Sequence, residues 1–160
     1  MRTAFFLSLT LLLAPLADSY GNVVRRAPDF SWPAAGNKTR SLKSLRGQPV
    51  VLVVAANPKN KAFRKQIDWL KQTYSQLAAK GAIFIVAFRE GEGPVQSDIP
   101  FVVANNGPAV ASAYNVEGNF ALVVIGKDGN VDYQTDQVRT GERVRDMVIN
   151  NYEVQAATRK

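Results

Sequence analysis

What the chain could do chemically is limited first by what it lacks, because its 160 residues include no cysteine and no histidine. That excludes disulfides, thiol oxidoreductase and peroxidase chemistry, Ser-His-Asp and Cys-His nucleophiles, and the usual zinc sites. Carboxylates, amines, guanidinium groups, hydroxyls and backbone remain. The densest set of these is basic and amide-rich: Asn57, Lys59, Asn60, Lys61, Arg64 and Lys65. At the start of a helix, free N–H groups and the macrodipole would add to that positive potential, so the group could hold a phosphate, sulfate, carboxylate or polyanion. Cations at a helix N-terminus oppose the macrodipole by about 0.3 to 1 kcal/mol each, a cost that a binding role would justify. The same charges also fit a solvated face, with Arg64 pairing with Asp68 one turn on and Lys65 and Lys71 in water. Glu90 and Glu92 share a loop, but nothing holds them at the separation that carboxylate-pair catalysis needs. No catalytic set, metal site or cofactor is identified.

The elements that would position this cluster are legible from periodicity. Residues 50–54 (VVLVV) form a continuous β-branched run, the pattern of a strand covered on both faces. Asn57 followed by Pro58 predicts a helix start, with the amide as N-cap and proline at the first helical position. Phe63, Ile67, Leu70, Tyr74 and Leu77 then fall on one face of a single helix, which Gly81 would cap. Residues 82–88 (AIFIVAF) repeat the buried-strand pattern, so strand, helix and strand make a right-handed parallel crossover. A Gly- and Glu-rich loop follows at 89–97, then an extended piece at 100–103 and a short helix at 109–114. Residues 121–125 (ALVVI) form a third strand, which Gly126-Lys127-Asp128-Gly129 turns into an antiparallel edge strand at 130–136. Thr140 would cap a last helix packing through Val144, Met147 and Val148. Trp69 lies off the apolar stripe as a cover, while Phe30 and Trp32 are expected to pack across the sheet end.

Length and a composition of 46% hydrophobic and 21% charged residues allow one globular domain with a sizeable core. The first residues read as a signal peptide, 1–19: Arg2, an apolar run at 4–13, and Ala17 and Ser19 before a cut between Ser19 and Tyr20. No cysteine is present for a lipid anchor, and no later segment approaches the roughly 20 apolar residues of a membrane span. The expected location is outside the cytoplasm, periplasmic or secreted. An N-terminal extension at 20–47, a domain at 48–155 and a tail at 156–160 complete the division. The net charge is +7, unevenly spread: residues 25–71 carry eleven basic side chains against Asp29 and Asp68, whereas 81–137 carry Arg89 and Lys127 against seven acids. This asymmetry favours an anionic partner. No nucleic-acid motif accompanies it, and export argues against nucleic acid. Asn37-Lys38-Thr39 fits a glycosylation sequon. Oligomeric state is not legible.

A β-α-β unit followed by a β-β-α unit is the thioredoxin-like order, and four phrases resemble the peroxiredoxin and thiol-disulfide oxidoreductase families. They are Ala27-Pro28-Asp29-Phe30; Leu42 to Gly47 with Pro49 to Val54; Ala113-Tyr114-Asn115-Val116-Glu117-Gly118; and Ile125-Gly126-Lys127-Asp128-Gly129. The segment from Gly118 to Gly129, with Phe120, also resembles an uncharacterised exported thioredoxin-like domain family. The resemblance implies an α/β fold, a three-layer α/β/α sandwich around a central mixed sheet with an N-terminal extension. It also implies where the redox centre would lie. The Cys-x-x-Cys would fall on Asn60, Lys61, Ala62 and Phe63, and the threonine preceding a peroxidatic cysteine would fall on Asn57. The cis-proline turn would fall at Phe120, and no proline follows Pro108. Phe120 is therefore expected as an exposed anchor beside the basic cluster. The expected function is a redox-inactive binding module for a protein or anionic ligand, using Asn57, Lys59, Asn60, Lys61, Arg64, Lys65 and Phe120. The alternatives are a cysteine-independent enzyme on the same scaffold and a structural or stress-associated envelope protein.

Overall fold

Strands whose every side chain is apolar must be covered on both faces, and this requirement organises the molecule. The computed structural model describes residues 25–157; the expected signal peptide with its cleavage point, and residues 158–160 of the tail, lie outside these. The chain opens with β1 (Arg25–Arg26), then a hairpin of β2 (Ser31–Ala34) and β3 (Lys38–Ser41), and a 3-10 turn at Leu42–Leu45. β4 (Val50–Ala55), α1 (Lys61–Lys71), α2 (Tyr74–Ala79) and β5 (Ile83–Phe88) form the crossover. β6 (Val102–Val103), α3 (Gly107–Ala113), β7 (Phe120–Ile125), β8 (Asn130–Thr135) and α4 (Gly141–Ala157) complete it.

The main sheet has the order β1-β8-β7-β4-β5-β6, and β2 and β3 form a separate two-stranded sheet. β4 pairs parallel with β5 and antiparallel with β7, as expected of a mixed sheet. β8 pairs antiparallel with β7, but it is not the edge, because Arg25 and Arg26 pair with Val131 and Asn130 beyond it.

Alternation along β4 sorts the core into two layers. Val51 and Val53 face Phe63, Ile67, Leu70, Leu77, Val144 and Val148 from α1, α2 and α4. Val50, Leu52 and Val54 face Val110, Tyr114, Trp32, Leu42 and Leu45. This is the α/β/α sandwich implied by the sequence. Trp32 and Phe30 lie over that second face, with ring centroids 6.0 Å apart and Phe30 also 6.1 Å from Tyr114, rather than across the sheet end.

The helix expected from residue 58 to 80 is corrected at its start and in its middle. The Asn57 Oδ1 accepts from the Lys59 N–H, and its carbonyl accepts from the Asn60 N–H, so Asn57 makes a turn. Asn60 is the cap instead, its side chain accepting from the Phe63 N–H at 2.9 Å. The single apolar stripe runs through a break at residues 72–73, where α2 restarts on the Thr73 carbonyl. There α4 begins at closest approach: a Cβ on Gly141 would lie 2.4 Å from the Trp69 carbonyl oxygen and 2.6 Å from the Thr73 hydroxyl. Sequence periodicity cannot register a neighbour that arrives from the other end of the chain. The last helix does use Thr140 as expected, its Oγ1 accepting from the Arg143 N–H and its carbonyl from Val144. No helix among the described residues is long and apolar enough to cross a membrane.

Candidate functional site

The C-terminal end of β4 delivers the chain into the turn 56–60 and then α1, so the basic segment emerges at one end of the sheet. The loop 91–93 packs against this turn: a Cβ on Gly91 would sit 3.1 Å from the Asn57 Cβ, and one on Gly93 would sit 3.2 Å from the Pro58 ring. Glycine at both positions lets the loop close one wall of a groove of about 740 Å³ along α1. Lys59, Arg64 and Lys71 line it with Phe63 and Ile67, while Glu92, Pro94 and Gln96 form the opposite wall.

The structure divides the basic cluster by partner. Lys59, Lys61 and Arg64 are exposed and, among the described residues, make no ion pair or side-chain hydrogen bond. Lys65 instead sits over the Trp69 ring, 4.6 Å from its centroid, so this charge is held by the ring rather than left in water. The anticipated Arg64 pair with Asp68 is not formed; Asp68 pairs with Lys71 at 3.7 Å. Helix geometry leaves the Lys61 and Ala62 amides without an intrahelical acceptor, since the Asn60 side chain serves Phe63 and its carbonyl serves Arg64. Lys61 does not line the groove, and its position brings it only to the helix start.

Phe120 is a correction. It is the first residue of β7, paired with Ala55, and its side chain is only 5% exposed within the layer that holds Phe63 and Phe88. Its place in the wholly apolar β7, paired with β4, turns the ring into the layer under α1 and α4, so it is not a surface anchor. Asn60 and Phe63, where the resemblance would put the two thiols, do structural work: Asn60 caps the helix, and Phe63 packs edge-on to Phe88 with centroids 5.3 Å apart.

One residue escaped sequence reading. Half-buried Arg89, at the end of β5, donates from Nη1 to the carbonyls of both Glu117 and Gly118, which ties this end of the sheet to the turn before β7. Its signal was its place as the first charge after the apolar run 82–88.

Residues 23–134, well over half of the chain, match the AhpC/TSA family. The chain belongs to the AhpC/TSA family. Among solved structures it is similar to a protein assigned as the thiol:disulfide interchange protein DsbE from Chlorobium tepidum, with a TM-score of 0.60 and 22% identity over 84% of this chain and 96% of that one. It is similar also to peroxidoxin BcpB from Mycobacterium tuberculosis (0.58, 15%, 82% and 96%). The Plasmodium vivax 2-Cys peroxiredoxin gives 0.61, 13%, 84% and 97%. At these identities the likeness is one of fold. No curated protein matches the sequence. This AhpC/TSA chain keeps the thioredoxin-like scaffold without the thiols, and without cysteine it is redox-inactive in the sense of thiol exchange.

Proposed function

We propose that the protein is an exported binding module, which recognises a protein or another anionic ligand through the groove along α1. The observation that carries this reading is that Lys59, Lys61 and Arg64 are exposed and unpartnered among the described residues, where the resemblance would put the redox centre. Exposed cations without partners lose little solvation on meeting an anion, and the free amides of the first helical turn add donors. Apolar groups from Phe63, Ile67 and Pro94 beside them would take the body of a peptide or organic anion. Asp68 and Glu92 in the same lining favour a ligand that places its charge near the helix start, away from Lys71 and its partner. Export rests on the signal-like segment 1–19.

The test is affinity capture from native extract at two salt concentrations, comparing the wild type with a Lys59→Glu, Lys61→Glu, Arg64→Glu triple variant that leaves Lys65 on Trp69. Retention by the wild type, with loss in the variant and at high salt, is the expected result. Capture of the same partner by both proteins would show the cluster to be a solvated face.

A further inference from the structure

A second recessed site lies at the other end of the sheet, about 17 Å away along β4 at roughly 3.3 Å per residue. It is formed where the linker from β1 to β2, the 3-10 turn and the turn from β7 to β8 converge, with a volume of about 540 Å³. The three-residue period of a 3-10 turn puts Leu42 and Leu45 on one side and Lys43 and Arg46 on the other. Both leucines join Val50 and Ile125 in lining the pocket, all four buried.

Charge is placed on this rim unevenly. Lys43 is already neutralised, since its Nζ lies 3.5 Å from the Asp29 carboxylate, which also accepts from the Lys43 amide at 3.1 Å. Arg26 and Arg46 are exposed and, among the described residues, have no ion pair or side-chain hydrogen bond. Two free guanidinium groups therefore border an apolar recess. Guanidinium forks match a carboxylate in geometry, and an apolar floor disfavours a fully hydrated polyanion. The volume falls within the roughly 300 to 1,000 Å³ of small-molecule sites.

We propose that this pocket binds an amphiphilic monocarboxylate, with the carboxylate on Arg26 and Arg46 and the apolar body against Leu42, Leu45, Val50 and Ile125. The site is independent of the α1 groove. The experiment titrates the protein with sodium octanoate and follows the backbone amide resonances of Ala27, Gly126 and Gly129, which line the pocket. Parallel titrations use 1-octanol and inorganic phosphate, and all three are repeated on an Arg26→Gln, Arg46→Gln variant. Saturable octanoate shifts at these amides are expected. Affinity should fall about tenfold or more in the variant, and octanol and phosphate should each bind at least about tenfold more weakly. Equal binding of phosphate would reduce the site to a bare anion patch, and equal binding of octanol to a bare apolar one. Either outcome overturns the proposal, as would absent shifts or unchanged affinity in the variant.

Discussion

The polar groups at the joints of the sandwich and those on the rim of the α1 groove follow opposite rules. At the joints the large polar groups Gln66, Arg139 and Tyr114 all have partners, while the small buried Thr73 hydroxyl beside Gly141 has none. Gln66, fully buried on α1, donates from Nε2 to the Arg139 carbonyl at 2.8 Å and accepts from the Arg139 N–H at 2.9 Å. Arg139 in turn donates from Nε to the Tyr133 hydroxyl at 2.9 Å, which ties β8 and the start of α4 to α1. On the other face, buried Tyr114 donates its hydroxyl proton to the Pro28 carbonyl at 2.9 Å, and its own carbonyl accepts from Gln134. On the rim, Lys59 and Arg64, with Lys61 beside them at the helix start, are without partners among the described residues. Burial makes an unsatisfied polar group costly, so the fold settles these interactions inside and leaves exposed charge free for something else.

This contrast is broken most forcefully at Gln66. Replacing Gln66 with Leu keeps the volume but leaves the Arg139 N–H and carbonyl unserved, and should cost about 2 to 4 kcal/mol, read from urea midpoints at constant m-value. A loss below about 0.5 kcal/mol would mean that water reaches the junction.

Tyr114→Phe should cost about 1 kcal/mol at neutral pH through loss of one buried hydrogen bond. It also has a pH signature. Burial pushes the Tyr114 phenol well above its ordinary value, with the Arg25 charge opposing the shift and Asp29 adding to it. The folded phenol thus keeps its proton after that of the unfolded chain ionises, so the wild type should lose stability as pH rises above about 10. The Phe variant should lack this component of the slope, and thermal melts across that range measure the difference.

The smallest effect sharpens the comparison from the other side. Lys59→Gln with Arg64→Gln should change stability by no more than about 0.5 kcal/mol, since neither residue has a partner to lose. A larger destabilisation would place these charges among the structural joints.

Much of the fold was legible because its signals are local. The runs at 50–54 and 82–88, the Gly126 to Gly129 turn and the Thr140 cap each depend on a few neighbouring residues, and they became β4, β5, the β7–β8 turn and the α4 start. The cap at Asn60 was missed because Asn57, three residues earlier, carries the same signal and Pro58 strengthens it. The break before α2 was missed because its neighbour, Gly141, lies far along the chain. At the candidate site, the cluster itself was visible, but Phe120 was placed on the wrong side of the surface.

The sequence by itself decided the chemistry that is excluded, since no conformation supplies a thiol or imidazole that the chain does not encode. It also decided the order of elements from β4 to α4, apart from the break between α1 and α2, because periodicity and turn residues act over short spans. Only the tertiary structure decided which cations remain unpartnered, that Phe120 belongs to the core, and that Gln66 meets Arg139 across 73 positions. Burial and pairing are properties of residues brought together by packing, and packing joins segments whose distance in sequence carries no local signal.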